Sequence, residues 1–204
     1  MTGDALVLAL ADLLVQRHGL DGHGRTVITL AGESGSGKSV TAMGLVRELS
    51  ARGFSTGVLH QDDYFRLPPA TNHANRERDL ANVGPHEVDV ALLRSHVEAF
   101  RAGARAVVAP RVDYPGNCFV RDVRDFSALS VLVVEGTYVV AHVPADVRIF
   151  MAATSEDTRE RRKARNRDID APIVDQVLAI EHPIIAAQAA LADIVVTRDF
   201  TLSP

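Results

Sequence analysis

Apolar residues along the 204-residue chain fall into short runs whose spacing switches repeatedly between a helical and an extended period. Asp4 to His18 carries Leu6, Leu10, Leu13 and Leu14 at helical spacing, and the run His18-Gly19-Leu20-Asp21-Gly22-His23-Gly24 then breaks that helix. Thr26-Val27-Ile28-Thr29-Leu30-Ala31 has the composition of a buried strand, and Val40 to Ala51 returns to helical spacing, with Gly53 as its C-cap. Ser55 to Gln61 predicts a second strand ending at Asp62-Asp63. Leu67 to Pro85 is polar, holds three prolines and is expected to be an irregular excursion. Helical spacing resumes from Glu87 to Phe100 through Val90, Leu93 and Val97. A strand-like piece at Ala106 to Ala109 leads into Arg111 to Asn117, which ends as a turn. Ser130-Val131-Leu132-Val133-Val134, closed by Glu135-Gly136, is the strongest later strand, and Val147 to Ala152 is another. A charged helix from about Ser155 to Arg167, a helical stretch near Ile173 to Ala190 and a last strand at Asp193 to Thr197 complete the pattern. Strands alternating with helices imply an α/β fold with a mainly parallel central sheet and helical crossovers.

Length and charge narrow the class. A chain of this size is expected to be one domain, with residues 1–25 forming a leading helix and loop, and no repeat or linker divides it. With 22 basic against 26 acidic residues the formal charge is −4, which gives no global attraction to nucleic acid or to anionic membrane. Cys118 is the single cysteine, so no intramolecular disulfide forms. No apolar run approaches the roughly 18 residues that span a bilayer, and Asp4 and Asp12 among the first leucines are unlike a secretory signal. The expectation is a cytoplasmic enzyme acting on a small molecule, with its oligomeric state, a homo-oligomer included, left open.

The first chemistry lies between the first strand and the second helix. Gly32-Glu33-Ser34-Gly35-Ser36-Gly37-Lys38-Ser39 fits the phosphate-binding pattern G-x-x-x-x-G-K-[ST]. Gly32, Gly35 and Gly37 let backbone N–H groups close on an anion, and the following helix N-terminus adds its dipole. Lys38 brings an ammonium to the β- and γ-phosphates of ATP, and the Ser39 hydroxyl offers one ligand to Mg²⁺.

Three further groups are expected at the carboxyl edge of the sheet, where open α/β folds bind ligands. Glu135 follows a strand buried on both faces and is placed to hold Mg²⁺ directly or through water. Asp62 and Asp63 end the second strand, and alternation aims one of them at the γ-phosphate, where a carboxylate can orient and deprotonate a hydroxyl. The segment from Thr158 to Asp168 holds five arginines within nine positions. On a helix Arg162 and Arg165 share a face and could neutralise a transferring phosphoryl group from a mobile lid. Each has a plainer role: a solvated strand-end acid, a capping pair, or arginines paired to Glu156, Asp157 and Glu160.

Taken in order, Gly32 to Ser39, His60-Gln61-Asp62-Asp63-Tyr64-Phe65, Val133-Val134-Glu135-Gly136 and Asp157-Thr158-Arg159 resemble the uridine kinase and phosphoribulokinase family of P-loop kinases. His60 to Phe65 also resembles the matching segment of nicotinamide riboside kinases. The resemblance implies a three-layer P-loop fold with an arginine-rich lid at about 155–172, and ATP and Mg²⁺ as cofactors. It implies a nucleotide site of Gly32, Ser34, Gly35, Ser36, Gly37, Lys38, Ser39, Val40 and Arg165. Asp62 rather than Asp63 becomes the catalytic and acceptor-binding acid, with Lys38 and Arg162 acting on the phosphoryl group. Phe65, Tyr114 and Arg162 join Asp62 around the acceptor. Uridine kinases carry Asp-His-Pro-x-x-Phe-Asp where this chain has Val83-Gly84-Pro85-His86-Glu87-Val88-Asp89, and Pro115 replaces the acid expected after Tyr114. Asp79, His86 or Asn117 could take over acceptor recognition.

The implied function is transfer of the γ-phosphoryl group of ATP to a hydroxyl of a small molecule, foremost a nucleoside such as uridine or cytidine. Nicotinamide riboside, pantothenate and a sugar phosphate are alternatives. A nucleotide-dependent switch or assembly ATPase is a reading of another class, although the chain has no Asn-Lys-x-Asp or Leu-Ser-Gly-Gly-Gln signature.

Overall fold

A computed structural model describes residues 3–158 and 172–203. Helix α1 spans Gly3–Arg17, strand β1 Thr26–Gly32, α2 Lys38–Ala51 and β2 Thr56–His60. A 3₁₀ turn at Gln61–Tyr64 precedes α3 at Pro69–Arg78, and two further short turns lead to α4 at Val90–Arg101. Strands β3 (Ala106–Asp113), β4 (Cys118–Asp125) and β5 (Val131–Gly136) follow, then α5 (Val139–His142) and β6 (Val147–Met151). The chain ends with α6 (Pro172–Ala186), β7 (Ile194–Val196) and β8 (Leu202–Ser203).

Six strands form one sheet in the order β2-β5-β1-β6-β7-β8. The first five are parallel and β8 closes the edge antiparallel to β7. Alternation along β1 divides the core. Val27 and Ala31 join Leu132, Val134, Phe150, Val97 and Phe100 on one face. Ile28 and Leu30 join Val131, Ile149, Leu45, Leu49 and the α1 residues Leu6, Leu10 and Leu14 on the other. Helix α1 can lie close against α2 because position 44 is glycine, where a Cβ would fall 2.7 Å from Val7 Cγ2.

Three segments depart from the pattern expected of the sequence. The stretch from Leu67 to Pro85 contains helix α3, which has no apolar stripe. Pro69 stands in its first turn, and its inner face is held by polar contacts from Asn72 and Arg76 to Glu87. The strand at Ala106 extends to Asp113 and pairs with β4 as a separate antiparallel ribbon. Strand β4 was not expected because it is half-exposed and charged, with Arg121, Asp122, Arg124 and Asp125 among its eight residues. Asp62 and Asp63 lie on the 3₁₀ turn after β2, so that turn, and not strand alternation, separates their directions.

Candidate active site

The glycine-rich loop leaves β1 at Gly32 and enters α2 at Lys38. Gly35 and Gly37 have φ values of 78° and 95°, a region a side chain would strain. Gly32 is needed for space, since a Cβ there would fall 2.7 Å from Ser36 Oγ and 2.9 Å from Met151 Cβ. Ser36 Oγ is buried without a hydrogen-bond partner among the described residues. Lys38 Nζ turns back toward the Glu33 carbonyl at 3.4 Å. Left-handed glycines, a helix N-terminus and a flexible cation in one loop fit a polyphosphate.

Behind Lys38, the register of β1 against β5 sets Glu135 beside Leu30. Glu135 is 4% exposed, and its Oε2 accepts the Ser39 hydroxyl at 3.1 Å while Oε1 accepts His60 Nδ1–H at 2.7 Å. Burial pushes its carboxyl up, but the His60 hydrogen bond and the Lys38 charge outweigh burial and hold it below the ordinary glutamate value. The hydrogen bond to Glu135 in turn raises the His60 imidazole, against burial. An ionised carboxylate next to a hydroxyl is a hard oxygen donor set that fits Mg²⁺, which takes few protein ligands and completes its shell with phosphate and water. Among the described residues no cluster of three or more His, Cys, Asp or Glu forms an all-protein metal cage.

The 3₁₀ turn splits the two aspartates. Asp63, 6% exposed, accepts the Val112 N–H at 2.8 Å and meets Arg124 at 3.5 Å, tying the β3–β4 ribbon to the sheet. Asp62 lines a cavity of about 490 Å³ together with Lys38 and Ser34. Its side chain reaches solvent through the mouth, yet protein atoms crowd the carboxyl. That crowding pushes its pKa up, with Lys38 opposing and Glu135 adding to the rise. Phe65 and Tyr114 line the same cavity, joined by Phe119, His73, Arg76 and Glu181.

Of the expected residues, the loop, Lys38, Ser39, Glu135, Asp62, Phe65 and Tyr114 therefore converge. Val40 is exposed on the first turn of α2. Arg162 and Arg165 lie outside the described residues, as does most of the lid at 155–172. Asp79, His86 and Asn117 do not line the cavity. Asp79 caps a short turn through Ala81 N–H, and Asn117 accepts the Ala70 N–H at 2.8 Å. Sequence reasoning did not single out Glu33, which is 4% exposed and accepts His182 Nδ1–H and the Ser155 N–H, each at 2.6 Å. Nor did it single out Arg76 and Glu181, because each owes its position to a partner far along the chain.

No protein-family model matches the chain. It is similar to the uridine kinase of Proteus mirabilis, at 29% identity over 192 residues covering 86% of this chain and 88% of that protein. It is also similar to the bifunctional alpha-galactosidase/sucrose kinase AgaSK of Mediterraneibacter gnavus, at 28% identity over 189 residues; these cover 86% of this chain but 20% of that longer protein. Among solved structures, phosphoribulokinase from Rhodobacter spheroides superposes with a TM-score of 0.62 at 19% identity, over 85% of this chain and 70% of that one, a likeness of fold.

Proposed function

The chain is similar to P-loop phosphotransferases of the uridine kinase and phosphoribulokinase-like kind that act on alcohol groups, and from that premise we propose how its own residues carry out the transfer. The enzyme moves the γ-phosphoryl group of ATP onto a hydroxyl of a small molecule bound in the cavity lined by Lys38 and Asp62. That shared cavity is the observation that carries the reading, because in-line transfer needs the phosphate-binding cation and the hydroxyl-orienting acid on one space.

The loop amides bind the polyphosphate and Lys38 stabilises charge on the oxygens of the transferring group. Ser39 and Glu135 would hold Mg²⁺, whose role when bound is to neutralise the β- and γ-phosphate oxygens. Asp62 accepts a hydrogen bond from the acceptor hydroxyl, aligns its oxygen on phosphorus and takes its proton as the new O–P bond forms and ADP leaves. The raised pKa of Asp62 makes it a better base than an ordinary aspartate. Positioning contributes more than basicity in a loose transition state. Arg162 or Arg165 would close over the phosphoryl group.

The acceptor is a nucleoside or another small metabolite with a free hydroxyl. A sugar acceptor has its own support in the sucrose kinase relative and in the loss of the uridine-kinase acid at Val83. An ADP-release assay with uridine, cytidine, nicotinamide riboside, D-fructose, pantothenate and ribulose 5-phosphate tests the reading, and acceptor-stimulated turnover is expected. Intact ATP binding without stimulation by any acceptor would reject it, and hydrolysis stimulated by a protein partner would favour the switch ATPase.

A further inference from the structure

Besides Asp62, the wall of the acceptor cavity carries a second acid. Glu181, on α6, is 8% exposed and lines the same space. Its Oε1 takes two bonds, from Arg76 at 3.1 Å and from the buried Tyr138 hydroxyl at 3.1 Å. Among the described residues its Oε2 takes none. That oxygen is not among the fully buried unpartnered side-chain atoms, so water can reach it and a ligand hydroxyl can take the water's place.

The cations of the cavity point the same way. Arg76 is the described lining residue, other than Lys38, with a permanent positive charge. Its guanidinium is already engaged by two carboxylates. Nε and one terminal nitrogen meet Glu87 at 2.6 and 2.9 Å, and the latter nitrogen also meets Glu181. At this wall an anionic group would have to share the Arg76 guanidinium with both acids. The remaining walls include the aromatic residues Phe65, Tyr114 and Phe119, which add apolar surface against which the C–H groups of a sugar ring can pack.

Resting on the phosphotransfer reading above, we propose that Glu181 is an acceptor-specificity residue, whose Oε2 accepts hydroxyl hydrogens of an uncharged polyhydroxylated acceptor while Arg76 and Tyr138 fix the carboxylate. Hydroxyls remote from the reacting oxygen are thereby counted at this wall, where the described arginine is already engaged by two acids.

The test begins with the unaltered full chain and Mg·ATP. D-fructose, D-ribose, uridine and cytidine are compared with ribulose 5-phosphate and pantothenate, and the best uncharged acceptor is compared with its single-deoxy analogues. The expected ranking puts an uncharged acceptor first in kcat/KM, with at least one deoxy analogue about tenfold worse. Glu181→Gln is expected to raise the acceptor KM about tenfold or more, to lower kcat by a smaller factor, to leave ATP affinity unchanged and to shrink the deoxy penalty. A merely structural Glu181 would not change the discrimination between an acceptor and its deoxy analogue. An anionic acceptor ranked first, an unchanged acceptor KM, or an undiminished deoxy penalty in Glu181→Gln would overturn the assignment while leaving phosphotransfer standing. Absence of turnover with every acceptor would overturn phosphotransfer itself and the assignment with it. The ranking needs no variant, so an anionic acceptor ranked first overturns the assignment even if Glu181→Gln does not fold.

Discussion

At Asp62 two requirements oppose each other. Its proposed role needs an ionised carboxylate, whereas crowding by protein and the charge of Glu135 raise its pKa and Lys38 only partly offsets them. An acid whose pKa is higher folded than unfolded contributes stability below its unfolded pKa, and that contribution is lost as pH rises through the folded value. Asp62 is exposed to solvent, so at neutral pH the charged group works against folding only weakly. Asp62→Asn is expected to keep or raise the thermal midpoint at pH 7 and to leave ATP affinity unchanged. It should lower acceptor-dependent turnover by roughly 10²- to 10⁴-fold. Thermal melts, ATP titration and the ADP-release assay check the three parts separately. In the unaltered enzyme the acid limb of kcat/KM should fall above the ordinary aspartate range, because the proton must be off Asp62 before it can accept another. Turnover surviving in Asp62→Asn would count against this assignment.

Among the elements, the β3–β4 ribbon contributes part of the cavity wall. It lies outside the main sheet, yet it supplies Tyr114 and Phe119 to the cavity. Asp63 anchors it through Val112 N–H and Arg124. Removing the carboxylate leaves a partly buried N–H without its acceptor and Arg124 without one of its acids, so Asp63→Ala should cost about 1–3 kcal/mol of stability. Well below its melting temperature that variant should show a raised acceptor KM with near-normal ATP affinity, since the phosphate loop is held by β1 and α2. Equal losses in ATP and acceptor binding would mean that the ribbon does not act locally.

For the whole molecule, none of the described residues that line the cavity belongs to the core under α1 and α2. Leu10 is completely buried in that second core. Leu10→Ala should therefore destabilise by about 2–5 kcal/mol while leaving both KM values unchanged at temperatures where the protein stays folded. Nucleotide binding should couple to global stability in the opposite sense. Mg·ATP at a hundred times its Kd adds about 2.7 kcal/mol to a protein that binds it only when folded. Lys38→Ala should lose most of that gain along with phosphoryl transfer, which a thermal shift titration measures. Among the described residues, no helix is long and apolar enough to cross a membrane.

Local signals made half of the site legible. The phosphate loop is eight consecutive residues whose backbone needs only glycines and a following helix, and β1 and α2 supply that setting from their own hydrophobic spacing. Glu135 was visible because four apolar residues before it mark a strand buried on both faces. The helix at Pro69–Arg78 and the strand at Cys118–Asp125 were not visible, since neither carries an apolar period. Their stability comes from Glu87, Asp63 and the opposite strand. The same holds for Glu181, which is 105 residues from Arg76 and is recognisable only once α6 lies over α3 and Tyr138. The sequence by itself therefore determined the fold class and the strand, glycine-rich loop and helix at Gly32 to Ser39, because short-range backbone geometry and periodicity suffice for them. The acceptor end was decided by tertiary structure alone, because its walls come from distant polar segments whose conformation depends on partners that only folding brings together.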